Sequence, residues 1–313
     1  MGEGGVAGQA GPDAAGAERR SGHEVQQAGR DVVIEAASAF LDGIAAMERL
    51  QIAEGADAIA REVLNATERR YALGDIAAID VNLARIDAAR STASLVAARA
   101  DLTSAVGVLR ALLRIPSSEP IELRGSLELL PAPPIDQLET SVNQRPEFAV
   151  LAAELREAEA QVQLGRALTK PDLGFRVGYA REESDTIVLG GLTVTIPAFQ
   201  QGQGTRAAGL ARATRTRLES EVARQRAVAD LRTAYAVYEQ RSALAAALQK
   251  DAAPSLIDNE NLARRSYEAG EMNLMDFLLI RRDAVETRLA VIDRRLEAAH
   301  SRLTVDIIAG VVQ

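Results

Sequence analysis

Two stretches of the sequence, "RRYALGDIAAIDVN" at residues 69–82 and "RSYEAGEMNLMDFL" at residues 265–278, share one pattern. In each, a tyrosine is followed by two residues, a glycine and an acid, and an aspartate stands six positions after the glycine. Glycine adopts positive φ without a steric penalty, and a residue of positive φ commonly ends an α-helix. We therefore interpret the two stretches as equivalent corners between helices.

Helix-forming sequence flanks both corners. Residues 25–70 contain no proline, and a second helix is predicted after Gly74, up to about residue 114. Around the second corner we expect helix over residues 205–266, with a kink at Pro254, and over residues 273–308. Because a helix rises about 1.5 Å per residue, these helices are too long for a small globular domain.

The last helix carries the spacing of a coiled coil, and the two repeats have arms of equal length. Apolar residues alternate at intervals of four and three, as in a coiled-coil seam: Val285, Leu289, Ile292, Leu296, Ala299 and Leu303. Arg114 lies as far along the chain from Tyr71 as Gly310 lies from Tyr267. The sequence thus predicts two antiparallel helical hairpins of matched length.

A different periodicity occupies residues 171–197. Leu173, Phe175, Val177 and Tyr179 alternate with small or polar residues, which predicts a strand. A second strand is predicted up to Pro197, with a bulge or kink at Gly190-Gly191 because the alternation changes parity there. One face of this β-hairpin is apolar, so it suits either a lipid-facing barrel wall or a solvent-covered hairpin packed on helices.

These patterns give a domain organisation. Prolines forbid helix in the segment between the two repeats. We predict a disordered lead-in at 1–22, a first helical hairpin at 23–115, a linker at 116–134 and a second repeat at 135–313. The second repeat comprises a helix, the β-hairpin at 171–197 and a long helical hairpin at 205–310.

Composition excludes several classes of function. Hydrophobic residues make up 47% of the chain but aromatic residues only 3%, which suits narrow seams between long helices. The net charge of −8 argues against nucleic-acid binding, and the absence of cysteine excludes disulfides and thiol chemistry. With only two histidines and no nucleophile–base constellation, we predict no enzyme, no cofactor and no metal site.

The sequence also bears on membrane association. The first 20 residues lack the basic and apolar regions of a secretory signal, so no signal peptide is predicted. No apolar run approaches the roughly 20 residues of a spanning helix. Any membrane contact is therefore expected from strands.

Taken together, the motifs resemble the outer-membrane efflux protein family, the TolC-like channel-tunnels. The resemblance lies in the paired corners, in "PDLGF" at 171–175, in "LTVTIP" at 192–197 with the Gly/Gln turn after it, and in "RPEF" at 145–148. "RRYALGDIAAIDVNLARIDAA" at 69–89 resembles the branch associated with heavy-metal cation efflux. The resemblance covers about residues 20–313. Family members carry a strand pair in each repeat and an export signal, so the chain is expected to be truncated at its N-terminus.

The resemblance implies a fold, a location and partners. The fold would be mainly α, with two repeats of long antiparallel coiled-coil hairpins and one β-hairpin contributing to an outer-membrane barrel. A homotrimer would form a passive export tunnel across the outer membrane and periplasm, bound to a periplasmic adaptor (membrane fusion) protein and an inner-membrane pump. The strand residues expected to face outer-membrane lipid are Phe175, Val177, Tyr179, Leu192, Val194 and Ile196.

The resemblance further implies that the corners form the closed gate and the adaptor-docking site. The residues concerned are Tyr71, Gly74, Asp75, Asp80, Tyr267, Gly270, Glu271 and Asp276. Tyr267 and Asp80 fall where the family places a gate tyrosine and its aspartate partner, and Asp276 where it places a constricting carboxylate ring. Met272 replaces a gate arginine of some members. The alternative is that the tyrosines pack at helix ends and that Asp75 and Glu271 only complement a helix dipole.

Two other functions remain open from the residues alone. One is a soluble structural coiled-coil protein without a transport role. The other is the helical hairpin of an adaptor, which would need a flanking lipoyl-like or β-barrel domain.

Overall fold

The structure is a computed structural model, and it describes residues 12–128, 131–182, 185–195, 199 and 201–311. Helices dominate, and one antiparallel pair of strands interrupts them. In chain order the elements are α1 Pro12–Ala72, α2 Ala78–Leu112, α3 Ile135–Val142, α4 Pro146–Ala167, β1 Asp172–Glu182, β2 Asp185–Thr195, α5 Gln203–Ala247, a π-helical segment Leu248–Ala252, α6 Ala253–Glu268 and α7 Leu274–Ala309. Among the helices of these described residues, none has the length and hydropathy needed to cross a bilayer.

Helix α1 begins earlier than predicted. It starts at Pro12, so the prediction of a disordered lead-in over residues 1–22 is wrong for residues 12–22. Proline suits the first position of a helix because its φ is already helical and its missing N–H would be unpaired there. The alanines that follow favour helix. Residues 1–11 of the lead-in lie outside the described residues.

The single helix predicted before the β-hairpin in the second repeat is two helices, α3 and α4. The break falls at Arg145, whose φ of −61° and ψ of 140° are extended. Pro146 explains it, because a proline disfavours the helical conformation of the residue before it. Pro146 then opens α4.

The irregularity expected at Pro254 is a π-helical segment, residues 248–252, that ends directly before α6. In an α-helix the ring of Pro254 would collide with the carbonyl of Lys250, and its missing N–H would leave that carbonyl unpaired. The wider π turn avoids both problems. The helix predicted over residues 205–266 is therefore α5 and α6 with this segment between them.

The chain divides into two compact units: residues 1–135 with 231–313, and residues 136–230. In the first unit, α1 packs along α2 and α7, and α6 packs on α7. Part of its core is formed by Ile44, Leu127 and Ile292. A Cβ on Gly43 would lie 2.9 Å from Leu123 Cδ1, so this glycine makes room for the linker to pack on α1.

In the second unit, α4 and α5 approach each other at glycines. A Cβ on Gly165 would lie 2.7 Å from Arg206 N, and one on Gly209 would lie 2.9 Å from Val162 Cγ2. Real side chains are not found so close, so only glycine permits this spacing. We call these contacts the glycine seam.

The β-hairpin has an unbroken register from Asp172 opposite Thr195 to Glu182 opposite Asp185. The bulge predicted at Gly190-Gly191 is wrong, since Val177 pairs with Gly190 and Arg176 with Gly191. A glycine fits either face of a strand, so these two do not interrupt the pairing. The change of parity arises because Leu189 lies on the face opposite to Leu192.

The far ends of the two repeats share one backbone geometry. Arg114 and Gly310 both have positive φ, at 53° and 74°. The residue after each donates its N–H to a carbonyl five positions earlier: Ile115 N to Arg110 O at 3.1 Å, and Val311 N to Asp306 O at 2.9 Å. These are Schellman C-caps. The equal arms predicted from the sequence end in matching caps, one of them without a glycine.

Candidate functional site at the helix corners

The two corners have the same backbone. Gly74 and Gly270 have φ of 82° and 76°, and each ends a helix in a Schellman cap. The second corner is thus a structural repeat of the first. The matching hydrogen bonds run from Asp75 N to Arg70 O at 2.9 Å and from Glu271 N to Ser266 O at 2.8 Å.

The helices that follow the corners start differently. Asn273 caps α7: its Oδ1 accepts from Asp276 N at 2.8 Å, and its Nδ2 donates to Asp276 Oδ2 at 2.8 Å. Ala77, at the same position before α2, has no side-chain cap. Asp276 is therefore held to the helix start, whereas Asp80 carries no such cap partner.

The two tyrosines also differ. Tyr71 is 49% exposed. Tyr267 stacks on Phe277, with ring centroids 5.0 Å apart, against an apolar cluster that we call the tip cluster. The tip cluster joins four helices through Val63, Ala84, Ala263, Leu274 and Phe277.

This packing agrees with the helix-end interpretation for Tyr267. Within the described residues of this one chain, its hydroxyl makes no hydrogen bond with Asp80. The contact between Tyr267 and Asp80 that the family resemblance implies is therefore not observed within this one chain, and the gate role of the two residues stays a prediction.

Exposed apolar side chains mark both corners, a feature that the sequence analysis missed. Ile79 and Met275, each five positions after its glycine, are 66% and 67% exposed. The matched offset was readable from the repeated motif. Met275 also lines a groove of about 180 Å³ between α2 and α7, which we call the tip groove. Its other walls include Leu83, Ile86, Asp87 and Leu279.

A row of arginines on α7 was also missed. Arg281, Arg288, Arg295 and Arg302 recur every seven residues, at the heptad position of the buried Leu274. The repeat was visible in the sequence, but arginine is not counted when apolar seams are sought. We call these residues the arginine row.

Each member of the arginine row pairs with a different part of the chain. Arg288 bonds Glu260 of α6, and Arg295 bonds Glu48 of α1 at 2.9 Å. Arg302 bonds its neighbour Asp306 and donates to Pro131 O at 3.0 Å. The row thus fixes α7 against its surroundings along most of its length.

Arg281 is the most buried of the row, with 6% of its surface exposed. Its Nη2 donates to Ala56 O of α1 at 3.1 Å, and its Nη1 lies 3.1 Å from Asp87 Oδ2 of α2. The Nη1 and Oδ2 atoms are both buried, yet the contact lacks the alignment of a hydrogen bond, and no other partner satisfies them among the described residues. Arg281 therefore joins α7 to α1 by a hydrogen bond and to α2 by a charge pair that lacks hydrogen-bond alignment.

A second polar contact joins α1 and α2. Asp57 is buried; its Oδ1 accepts from Thr92 Oγ1 at 2.7 Å and its Oδ2 from Arg61 Nε at 2.7 Å. The hydrogen bond from Thr92 is the main cause that lowers the pKa of Asp57, and Arg61 adds to it, while burial acts in the opposite direction. Asp57 thus remains a carboxylate and fixes the register of the first hairpin.

The register of the β-hairpin puts most of the predicted lipid-facing residues on one face. Phe175 is opposite Leu192, Tyr179 is opposite Val188, and Phe175 is 77% exposed. Val177 and Val194 share this face. Ile196 lies outside the described residues.

No group of three or more potential metal ligands occurs in the part of the chain that the structure describes.

Comparison with known proteins relates this chain to outer membrane efflux proteins. Residues 138–311, more than half of the chain, match the family model described as outer membrane efflux protein. The cobalt-zinc-cadmium resistance protein CzcC of Cupriavidus metallidurans is 28% identical over 283 residues, covering 90% of this chain and 68% of that protein.

Solved structures share the fold. A membrane protein from Pseudomonas aeruginosa aligns with a TM-score of 0.67 at 19% identity, covering 93% of this chain and 70% of that one. CusC, described in the context of transmembrane channel formation, aligns with a TM-score of 0.70 at 19% identity, covering 90% and 68%. The chain thus spans about two thirds of the length of these relatives.

Proposed function

The chain belongs to the outer membrane efflux protein family, and on that premise we propose which part of the chain performs each role in an export channel. The family supplies the outer-membrane channel component of tripartite efflux systems, which is a conduit and not an enzyme. The alternative of a soluble structural coiled coil is thereby excluded. The alternative that the chain is the helical hairpin of an adaptor protein is excluded for the same reason.

We propose that three copies form the conduit in the outer membrane, with the apolar face of the β-hairpin against lipid. The alternation supports this, because Phe175, Val177 and Leu192 share a face on which no charged residue was found among the described side chains. Closure into a ring would pair the free strand edges, which lipid cannot satisfy. Nucleic acid is not a proposed partner, because the net charge of −8 argues against a phosphate-binding surface.

The helix corners would be the gate at the periplasmic end, and the single observation that supports this best is their duplication. Gly74 and Gly270 present two equivalent tips, with Asp80 and Asp276 at matched positions. In a trimer these carboxylates would form rings that narrow the opening. Because Tyr267 does not bond Asp80 within one subunit, any such latch would form between subunits.

The gate is tested by the double variant Asp80→Ala/Asp276→Ala in lipid bilayers. We expect a conductance well above that of the unmodified trimer, since the constricting carboxylates are gone. Asp101→Ala/Asp283→Ala is the matched control, because both residues are exposed on the same two helices away from the corners. Unchanged conductance in the first variant would refute the gate, and absence of any trimer or channel in the unmodified chain would refute the function itself.

Docking of the adaptor is proposed at Ile79, Met275 and the tip groove. Large apolar side chains that are two thirds exposed at both corners are expected where another protein binds. Ile79→Glu/Met275→Glu should abolish copurification with the host's periplasmic adaptor protein and leave the trimer intact. Retained copurification would contradict the assignment.

Divalent metal cations are the proposed cargo, by similarity to the cobalt-zinc-cadmium resistance protein. A passive conduit needs no binding site for its cargo, so the proposal does not depend on one. Deletion of the gene should sensitise the host to zinc, cobalt or cadmium, and unchanged tolerance to all three would contradict it.

A further inference from the structure

The face of the β-hairpin opposite to Phe175 carries a charge in its middle. Arg176 lies on that face and pairs in register with Gly191, and its neighbours two positions away on the same strand are Gly174 and Gly178. Because glycine has no side chain, none of these three neighbours covers the guanidinium. Arg176 is accordingly exposed.

Arg176 also lacks a compensating charge. No described residue forms an ion pair or a side-chain hydrogen bond with it. The other charge among the described side chains of this face is Asp172, four residues earlier and so about 13 Å away along the strand. Arg176 therefore presents a full positive charge to whatever the face contacts.

The alternation of the strand decides what that is. A guanidinium stays charged in proteins, and a charged side chain is strongly disfavoured on the lipid face of a membrane barrel. Because Phe175 and Val177 flank Arg176 in sequence, a wall that turns these two residues to lipid turns Arg176 to the water inside.

We propose that Arg176 from each of three subunits forms a cationic ring inside the wall and makes the conduit favour anions over cations at this level. The inference rests on the proposed function and adds a residue that sets its ion selectivity. Rings of arginine or lysine select anions in pores. In a water-filled path such a ring lowers the flux of cations without closing the path, so it is compatible with metal cations as cargo.

The first test measures the ratio of chloride to potassium permeability from reversal potentials of trimers in planar bilayers. The parent for all variants is Asp80→Ala/Asp276→Ala, so that the corner carboxylates do not set the ratio. At about 0.1 M salt the Debye length is roughly 10 Å, and three charges within that distance of the path favour an anion over a cation by roughly fivefold in water. Arg176→Gln should lower the ratio by about that factor, and Arg176→Lys, which keeps the charge, should retain it.

Thr193→Gln is the matched control, because it places a glutamine on the same face and removes no charge. Its ratio should equal that of the parent. A ratio for Arg176→Gln equal to that of the parent overturns the ring, as does an equal loss in Arg176→Lys or in Thr193→Gln. An unmodified chain that forms no channel refutes the proposed function instead.

The second test restores the charge after assembly. The chain has no cysteine, so Arg176→Cys can be modified alone with methanethiosulfonate reagents. A reagent that carries trimethylammonium should raise the chloride-to-potassium ratio of the assembled trimer, and one that carries sulfonate should lower it. Because the same folded trimer is measured before and after modification, the change reports charge and not folding. Reagents of opposite charge that shift the ratio in the same direction, or not at all, overturn the proposal.

Discussion

At the residue scale, three of the four helix ends that match between the repeats were readable from sequence and one was not. Gly74, Gly270 and Gly310 have the positive φ that glycine predicts. Arg114 has the same conformation without glycine, so only its distance from Tyr71 marks it. Residue type and position within the repeat are separate signals.

Arg114→Gly should therefore stabilise the protein. A side chain in the left-handed region costs roughly 1–2 kcal/mol, partly offset by the greater freedom of glycine in the unfolded chain. We expect a net gain of about 0.5–1 kcal/mol, measured as a higher midpoint of thermal unfolding. Gly310→Ala is the mirror control and should lower the midpoint; a lower midpoint for Arg114→Gly would contradict the account.

Asp57 gives a prediction about pH. Because its pKa lies below the ordinary value of 3.8 in the folded state, its ionised form stabilises the protein above pH 3.8, and this contribution disappears as the pH falls through the folded pKa. Asp57→Asn should lower the free energy of unfolding at pH 7, with a smaller difference from the unmodified chain at pH 3. Chemical denaturation at both values measures this. A difference that is equal at the two pH values would show that Asp57 does not titrate as described.

At the element scale, the helices follow from periodicity and proline, while their close contacts do not. Leu289 and Leu296 of the predicted seam are only half-buried on α7, whereas Arg281, which a search for apolar spacing does not count, is buried. Likewise, the change of apolar parity at Gly190 and Gly191 predicts a bulge that the strand pairing does not contain. The backbone pairing of the two strands continues through both glycines, although the side-chain pattern does not indicate it there.

The glycine seam provides the element-scale prediction. Gly165→Ala puts a Cβ 2.7 Å from Arg206 N, so α4 and α5 must move apart, at a cost of about 1–3 kcal/mol. Gly204→Ala is the matched control in α5, where a Cβ would meet nothing within 4 Å, and it should be neutral or stabilising. Thermal unfolding of the two variants measures the difference. Equal midpoints would show that the helices are not in such close contact.

At the scale of the whole molecule, the duplication and the fold class were predictable because they depend on repeated spacing. The corner motifs, the equal arms and the alternation in the β-hairpin are all local patterns. The contacts that join the hairpins, such as Arg281 with Asp87 and Ala56, combine residues far apart in the chain. No single stretch carries them, so they emerge only from the packed structure.

The account depends most on the β-hairpin lying in a lipid-enclosing wall. Single-cysteine variants of this cysteine-free chain can be treated, as assembled trimers in outer-membrane vesicles, with a charged maleimide that does not enter lipid. Cysteines at Phe175 and Leu192 should be protected, and cysteines at Gly174 and Thr193, on the opposite face, should react. Equal reaction at all four positions would contradict the account.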